Sequence, residues 1–276
     1  MNRGMELLAW LAGVVAVAIL GIVVWSVAKR GASELNLDLL TKAPVPFAIG
    51  IQQGLANAFV GSLVVVGLAT AMALPFGILV AIYVNEFAPR AVRNGVGLVL
   101  DVLNGVPAIV VGIFVFGLVV VSHGQSAYAG AFALAVLMLP LVGRATIEVL
   151  ALVPATLREA SLGLGVTRWR TTLGIVLPQT VGGIVTGTML AVARVAGETA
   201  PLLFTCSLAG TSIDSNPGHA LQTVPVAIFE LSESADPADH ARAWAAALVL
   251  LLFILFSSLT ARWLAARSRR KLGRAR

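Results

Sequence analysis

Six long apolar runs decide what this chain can become. They lie near residues 7–27, 59–84, 96–121, 127–147, 181–205 and 243–265, each at or close to the roughly 20 residues a helix needs to cross a hydrocarbon layer about 30 Å thick. Lipid offers nothing to an unpaired backbone amide, so a spanning segment must be a helix or part of a closed barrel. The runs are continuous and do not alternate apolar with polar, which selects helices. Composition agrees, because 58% of the residues are hydrophobic and 12% charged, against roughly 45–50% and 25% in soluble domains. The expectation is an all-α integral membrane protein with six spans.

Arg3 precedes the first run, and Ser26-Val27-Ala28 loosely resembles a cleavage site. The apolar core from Leu7 to Val27 nevertheless exceeds the roughly 7–15 residues of a secretory signal, which favours a retained anchor. Cations set the orientation, since Lys and Arg of short loops stay on the cytoplasmic side. With the amino end inside, one face receives Arg3, Arg90, Arg93, Arg144, Arg158, Arg168, Arg170 and the cations from Arg262 to Arg276. The other receives Lys29, Arg30, Lys42 and Arg242, so both termini are expected in the cytoplasm. The tail "RSRRKLGRAR" reads as an anchor to anionic lipid headgroups, not as a nucleic-acid contact. Cys206 and three scattered histidines, His123, His219 and His240, make no metal-ligand pattern.

Between the fourth and fifth runs lies "EASLGLGVTRWRTTLGIVLP", residues 159–178. Pro154 suits a first helical turn, Thr156 and Glu159 have the spacing of a capping box, and Gly165 suits the left-handed residue that ends a helix. Leu157, Ala160, Ser161 and Leu164 would share a face. Thr167 can cap a second short helix carrying Trp169, Leu173 and Val176, which Pro178 would interrupt. Two amphipathic helices joined by a glycine elbow are therefore predicted, either lying in the headgroups or docking a soluble partner.

The fifth run contains "GGIVTGTMLAVARVAGETAPLLFT", Gly182 to Thr205. Arg194 and Glu198 stand four apart, one face of a continuous helix, about 24 Å from Pro178 by helical rise. An arginine near the centre of a span costs about 2.5–3.5 kcal/mol on insertion scales, so a partner or a wet pathway is expected. Two readings stay open: an ion pair within the helix, or a gate for an anion whose oxygens the guanidinium would hold. Gly183 and Gly187 form a GxxxG suited to close helix contact. In the third run Asp101 and Asn104 precede Gly105-Val106-Pro107, either a kink beside a pathway or a plain helix start. Pro75 and Pro140 are expected to bend their helices.

No G-x-x-x-x-G-K-[ST] occurs, because the three lysines follow Ala28, Thr41 and Arg270, so ATP phosphates are not cradled in that way here. H-E-x-x-H and G-x-S-x-G are also missing, which argues against a membrane protease or esterase.

Two resemblances organise these features. Glu159-Ala160-Ser161, Gly165, Ile175 and Leu177-Pro178 resemble the E-A-A-x3-G-x9-I-x-L-P motif of ABC importer permeases, with Ser161 for the third alanine. Ala191, Ala193, Arg194, Gly197, Glu198, Thr199, Ala200, Pro201, Leu202 and Leu203 resemble the A-x-A-R-x-x-G-E-T-A-P-L-L hallmark of the PstA-type permeases of phosphate importers. "LPFGILVAIYVNEFA", "GVPAIVVGIF" and "ALQTVPVAIFEL" are similar to other segments of that family, so the likeness runs from about Gly54 to Ala265.

The resemblance implies a six-helix, MetI-like type I ABC importer permease. It would comprise an anchor helix and periplasmic loop over 1–55, a core over 56–265 with the coupling loop 148–178, and a basic tail over 266–276. Implied partners are a homologous PstC-type permease, a PstB-type ATPase homodimer that binds ATP and Mg, a periplasmic phosphate-binding protein, phosphate and the bilayer of a bacterial inner membrane. No cofactor is expected in this chain, and no enzymatic activity. Glu159 to Pro178 would couple to the ATPase, Arg194, Glu198, Thr199 and Pro201 would form the gate, and Asp101, Asn104 and Pro107 would border the pathway.

Overall fold

The computed structural model describes residues 3–44, 54–206, 210 and 212–273. Its helices are α1 (Arg3–Gly31), α2 (Leu37–Thr41), α3 (Ala56–Ile82), α4 (Arg90–Gly105), α5 (Ala108–Val115), α6 (Val121–His123), α7 (Ala127–Ala151), α8 (Ala155–Gly163), α9 (Arg168–Thr171), α10 (Leu177–Val195), α11 (Ala200–Thr205), α12 (Val224–Ser232) and α13 (Pro237–Gly273). Wider, π-helical turns occupy Tyr83–Phe87, Phe116–Val120 and Thr172–Val176. Five segments are long and apolar enough to span a membrane, while Arg90–Gly105 and Ala108–His123 reach that length only as a pair, bent by 93°. Residues 45–53 of the expected periplasmic loop and the final three of the basic tail lie outside the described residues.

Two of the six runs are not the straight rods their hydropathy suggests. The third breaks at Val106, whose backbone is extended (φ −68, ψ 127) because the residue before a proline is pushed out of the helical region. The fifth stops at Val195 and restarts at Ala200. A continuous helix there would set the Pro201 ring against the Gly197 carbonyl and lose that carbonyl's hydrogen bond, while Gly197 itself favours helix weakly. Pro75 and Pro140 stay inside α3 and α7, which run on past them. Both breaks carry a glycine within four residues before the proline, and these two intact sites do not. Pro178 has Gly174 at that distance, yet it does not interrupt either, since the π turn just before it widens the helix and Arg168–Val195 form one span. Arg144, counted among the cations of the cytoplasmic face, sits inside α7.

Small residues bring the core together. Gly61, Val65, Ala69, Ala73, Gly77 and Ala81 form a buried stripe along α3 at intervals of four, and Val65, Ala69 and Ala73 meet Ala131, Leu134, Met138 and Val142 of α7. Lipid tails give helices no hydrophobic reason to associate, so close backbone approach supplies the attraction. A Cβ on Gly77 would come within 3.0 Å of Val142. The GxxxG of α10 works likewise further along α7. A Cβ on Gly183 would stand 2.5 Å from Val149, and one on Gly187 2.7 Å from Ala145. By contrast the apolar window of α1 is uncovered by the rest of the chain. That helix is held at its far end, where Arg30 lies 4.9 Å over the Trp244 ring and Gly31 fits against Leu248 of α13.

Candidate coupling surface and gate

The elbow forms, but not through the expected capping box. Pro154 takes the cap position of α8 and no side chain caps the helix, so Thr156 is already inside the first turn and cannot reach back. Glu159 and Ala160 point outward, exposed, and Leu164 is 84% exposed. The helix ends at Gly165, whose φ of +79 is the left-handed conformation that glycine adopts without strain. Its N–H donates to the Leu162 carbonyl at 3.0 Å and that of Val166 to Ser161 at 3.2 Å, the paired bonds of a Schellman cap. Thr167 stands at the cap of α9 without a side-chain bond.

Ser161 turns inward instead of sharing the exposed face of Leu157 and Leu164. Its hydroxyl lies 2.8 Å from that of Thr171, both buried, and so ties α8 to α9 across the glycine. Trp169 packs on Phe87 with ring centroids 6.0 Å apart. Ile175 is half-buried in the π turn and Pro178 exposed at the start of α10, while Leu177 packs on the cluster of Ala81, Leu150, Val153 and Val176. The elbow is therefore seated on the ends of α3 and α7 and continuous with α10, with an exposed outer face.

At the opposite end of α10, Arg194 occupies the last helical turn and Glu198 the turn beyond it. The helix has ended before Glu198, so the two do not share a helical face, and no ion pair joins them among the described residues. Arg194 is exposed and Glu198 and Thr199 half-buried, whereas Pro201 is buried. The carbonyls of Arg194 and Val195 accept from the N–H groups of Gly197 and Glu198 at 3.2 and 3.1 Å, a turn that leads into α11. Pro201 lies against Gly112 of α5, where a Cβ would stand 2.6 Å from the Pro201 Cα. Gly112→Ala is accordingly expected to part α5 from the turn at a cost of about 1–3 kcal/mol of overpacking, read as a lower thermal midpoint of the detergent-solubilised protein.

Asp101, Asn104 and Pro107 sit around the 93° bend. Asp101 is paired with Arg144 of α7 at 2.6 Å, while Asn104 is exposed and Pro107 starts α5. This ion pair and a second, between Glu86 and Arg158, escaped sequence reasoning. One sign was available for the second: Glu86 closes an otherwise apolar run and Arg158 follows another at the same membrane face.

The loop after α11 is pinned by polar contacts. Asn57 Nδ2 donates to Gln222 Oε1 and to the Gly210 carbonyl, both at 2.8 Å, and Gln222 Nε2 donates to Glu230 at 2.6 Å. Burial raises the Glu230 carboxyl above its ordinary range. His219 belongs to this loop as well. It bonds Asp214 at 2.5 Å, and the Asn216 backbone amide followed by His219 holds the Asp214 carboxyl below its ordinary range.

A multi-pass helical bundle whose helices α8 and α9 present an exposed face at one end and whose fifth apolar run is broken beside Arg194 has the build of a membrane transport permease. The chain belongs to the family of binding-protein-dependent transport system inner membrane components, whose model matches residues 73–270. More particularly, it is similar to proteins named phosphate transport system permease protein PstA. That of Xylella fastidiosa is 38% identical over 245 residues, 87% of this chain and 84% of its own length. PstA 1 of Mycobacterium tuberculosis is 41% identical over 223 residues, 79% of this chain and 72% of its own. A chain of the bacterial alginate ABC transporter, solved in complex with an alginate pentasaccharide-bound periplasmic protein, shares the fold with a TM-score of 0.64. It covers 94% of this chain and 95% of its own at 17% identity.

Proposed function

We propose that this chain is a permease subunit of an ATP-driven phosphate importer in a bacterial inner membrane, with both termini in the cytoplasm. A PstC-type permease would enclose the route with it, a PstB-type ATPase homodimer would hold ATP and Mg, and a periplasmic phosphate-binding protein would deliver the anion. The observation that carries this reading is the kinship with PstA proteins over most of the chain. The placement of the elbow and the Arg194 turn at opposite ends of one span supports it.

In this mechanism the exposed face of α8 docks on the ATPase through Glu159, Ala160 and the Gly165 turn. Closure of the ATPase on ATP displaces the elbow, and because α9, the π turn and α10 are one helical span, the displacement reaches Arg194 and Glu198. The two rearrange around the anion as the permeases exchange inward- for outward-facing packing. A guanidinium offers phosphate two parallel donors, whereas the nearby carboxylate repels it, so the turn suits transient passage better than tight binding. Selection among oxyanions rests mainly with the binding protein.

Reconstituting the whole complex in proteoliposomes tests this reading. ATP-dependent uptake of labelled phosphate is expected to exceed that of phosphonate, molybdate and tungstate. A faster competitor reassigns the substrate, and uptake without the ATPase removes the importer reading altogether.

A further inference from the structure

The span through α9 and α10 is one connection between the elbow and the core; a second is built on Arg158. This side chain of α8 directs all three guanidinium nitrogens to groups outside its helix. Nε donates to Glu86 Oε2 at 3.0 Å, and Nη2 to Glu86 Oε1 at 2.8 Å and to the Leu150 carbonyl at 2.9 Å. Nη1 donates to the Val153 carbonyl at 2.6 Å. Leu150 lies in the last turn of α7, where carbonyls lack helical partners and a cation is favoured.

Glu86 is only 8% exposed and is itself fixed, since Asn85 Nδ2 donates to its Oε1 at 2.7 Å. Arg93 of α4 donates to the Val84 and Asn85 carbonyls at 3.1 and 2.9 Å, holding the same π turn. The ends of α3 and α7, the start of α4 and the elbow thus converge on one bidentate ion pair. A cavity of about 500 Å3 lies beside it, lined in part by Arg93, Arg168 and Thr171.

We infer that Glu86 and Arg158 form a strut that carries displacement of the elbow directly into α3 and α7, making both positioning residues for the coupling of ATP hydrolysis to transport. The inference rests on the coupling role proposed above for the elbow. A partly buried pair is strongly disfavoured from separating, because each charge would lose its partner, so the strut moves as a unit. The α3 and α7 faces it joins are close-packed and hardly compressible, so a push at one end shifts the helices bodily.

The test uses the complete complex in proteoliposomes and reads ATP hydrolysed per phosphate imported. Glu86→Gln places an amide donor against the guanidinium, and Arg158→Lys replaces the fork by a single point of contact. Each is expected to raise the ratio about tenfold, within the roughly 5- to 150-fold range of couplings between sites, in complexes that assemble normally. The double variant is expected to rise no further than either alone, because partners in one interaction are not additive. Unchanged ratios, or rises that multiply in the double variant, overturn the strut. Should Glu86→Gln fail to assemble, Arg158→Lys decides by the same ratio. Gly165→Val tells the two levels apart. If it uncouples and the strut variants do not, only the strut falls; if none uncouples, the elbow's role falls with it.

Discussion

Gly165→Val is expected to separate ATP hydrolysis from uptake while the helical bundle stays folded. The φ of +79 at this position places a Cβ against the neighbouring carbonyl, a cost of about 1–2 kcal/mol for an ordinary residue and more for a β-branched one. The chain escapes by giving up the Schellman bonds to Ser161 and Leu162, which re-aims α8 relative to α9. Nothing packs against Gly165, so the damage is local to the elbow. In proteoliposomes the uptake supported by each ATP is expected to fall about tenfold or more, the scale of a lost site-to-site coupling. Gly165→Ala should fall between the two. Coupled uptake at full yield in the valine variant would remove the elbow from the mechanism.

Arg194→Leu is expected to stop phosphate passage without disturbing assembly. The side chain is exposed within this chain and unpaired among the described residues, so its removal strands no buried carboxylate. What disappears is the cation at the turn between α10 and α11. Hydrogen bonds to charged groups contribute about 1.5–3 kcal/mol, so a lost contact to the passing anion lowers flux by about ten- to 150-fold. Arg194→Lys retains the charge without the two-pronged geometry and is expected to lose less. Labelled-phosphate flux, set beside recovery of the intact complex on a sizing column, checks both. Undiminished flux would assign Arg194 another duty.

Hydropathy and motif spacing made the spans and the elbow legible, and failed where the backbone departs from straight helix. The 181–205 run contains no residue too polar for lipid after Arg194 and Glu198, so composition alone extends the helix through Pro201; only the conflict of that proline with Gly197 ends it. The four-residue spacing of Arg194 and Glu198 presupposed the unbroken helix and lapsed with it. Thr156 and Glu159 had the spacing of a capping box, yet Pro154 had already claimed the cap. Gly165 was legible because one residue type dominates the left-handed position. Glu86 with Arg158 and Asp101 with Arg144 join residues 72 and 43 positions apart. Such pairs depend on which helix ends meet, and local spacing says nothing of that.

The π-helical turn at Thr172–Val176 has one further consequence. A turn of this kind holds one residue beyond its α-helical equivalent and absorbs it within the same circuit of the axis, so deleting Gly174 would restore regular winding and leave the flanking segments close to their present facing. The span therefore possesses a ready site at which its length can change by one residue. There the loss of one codon would leave the docking knob facing nearly as before, whereas the same loss inside α10 would swing it by about 100° around the axis.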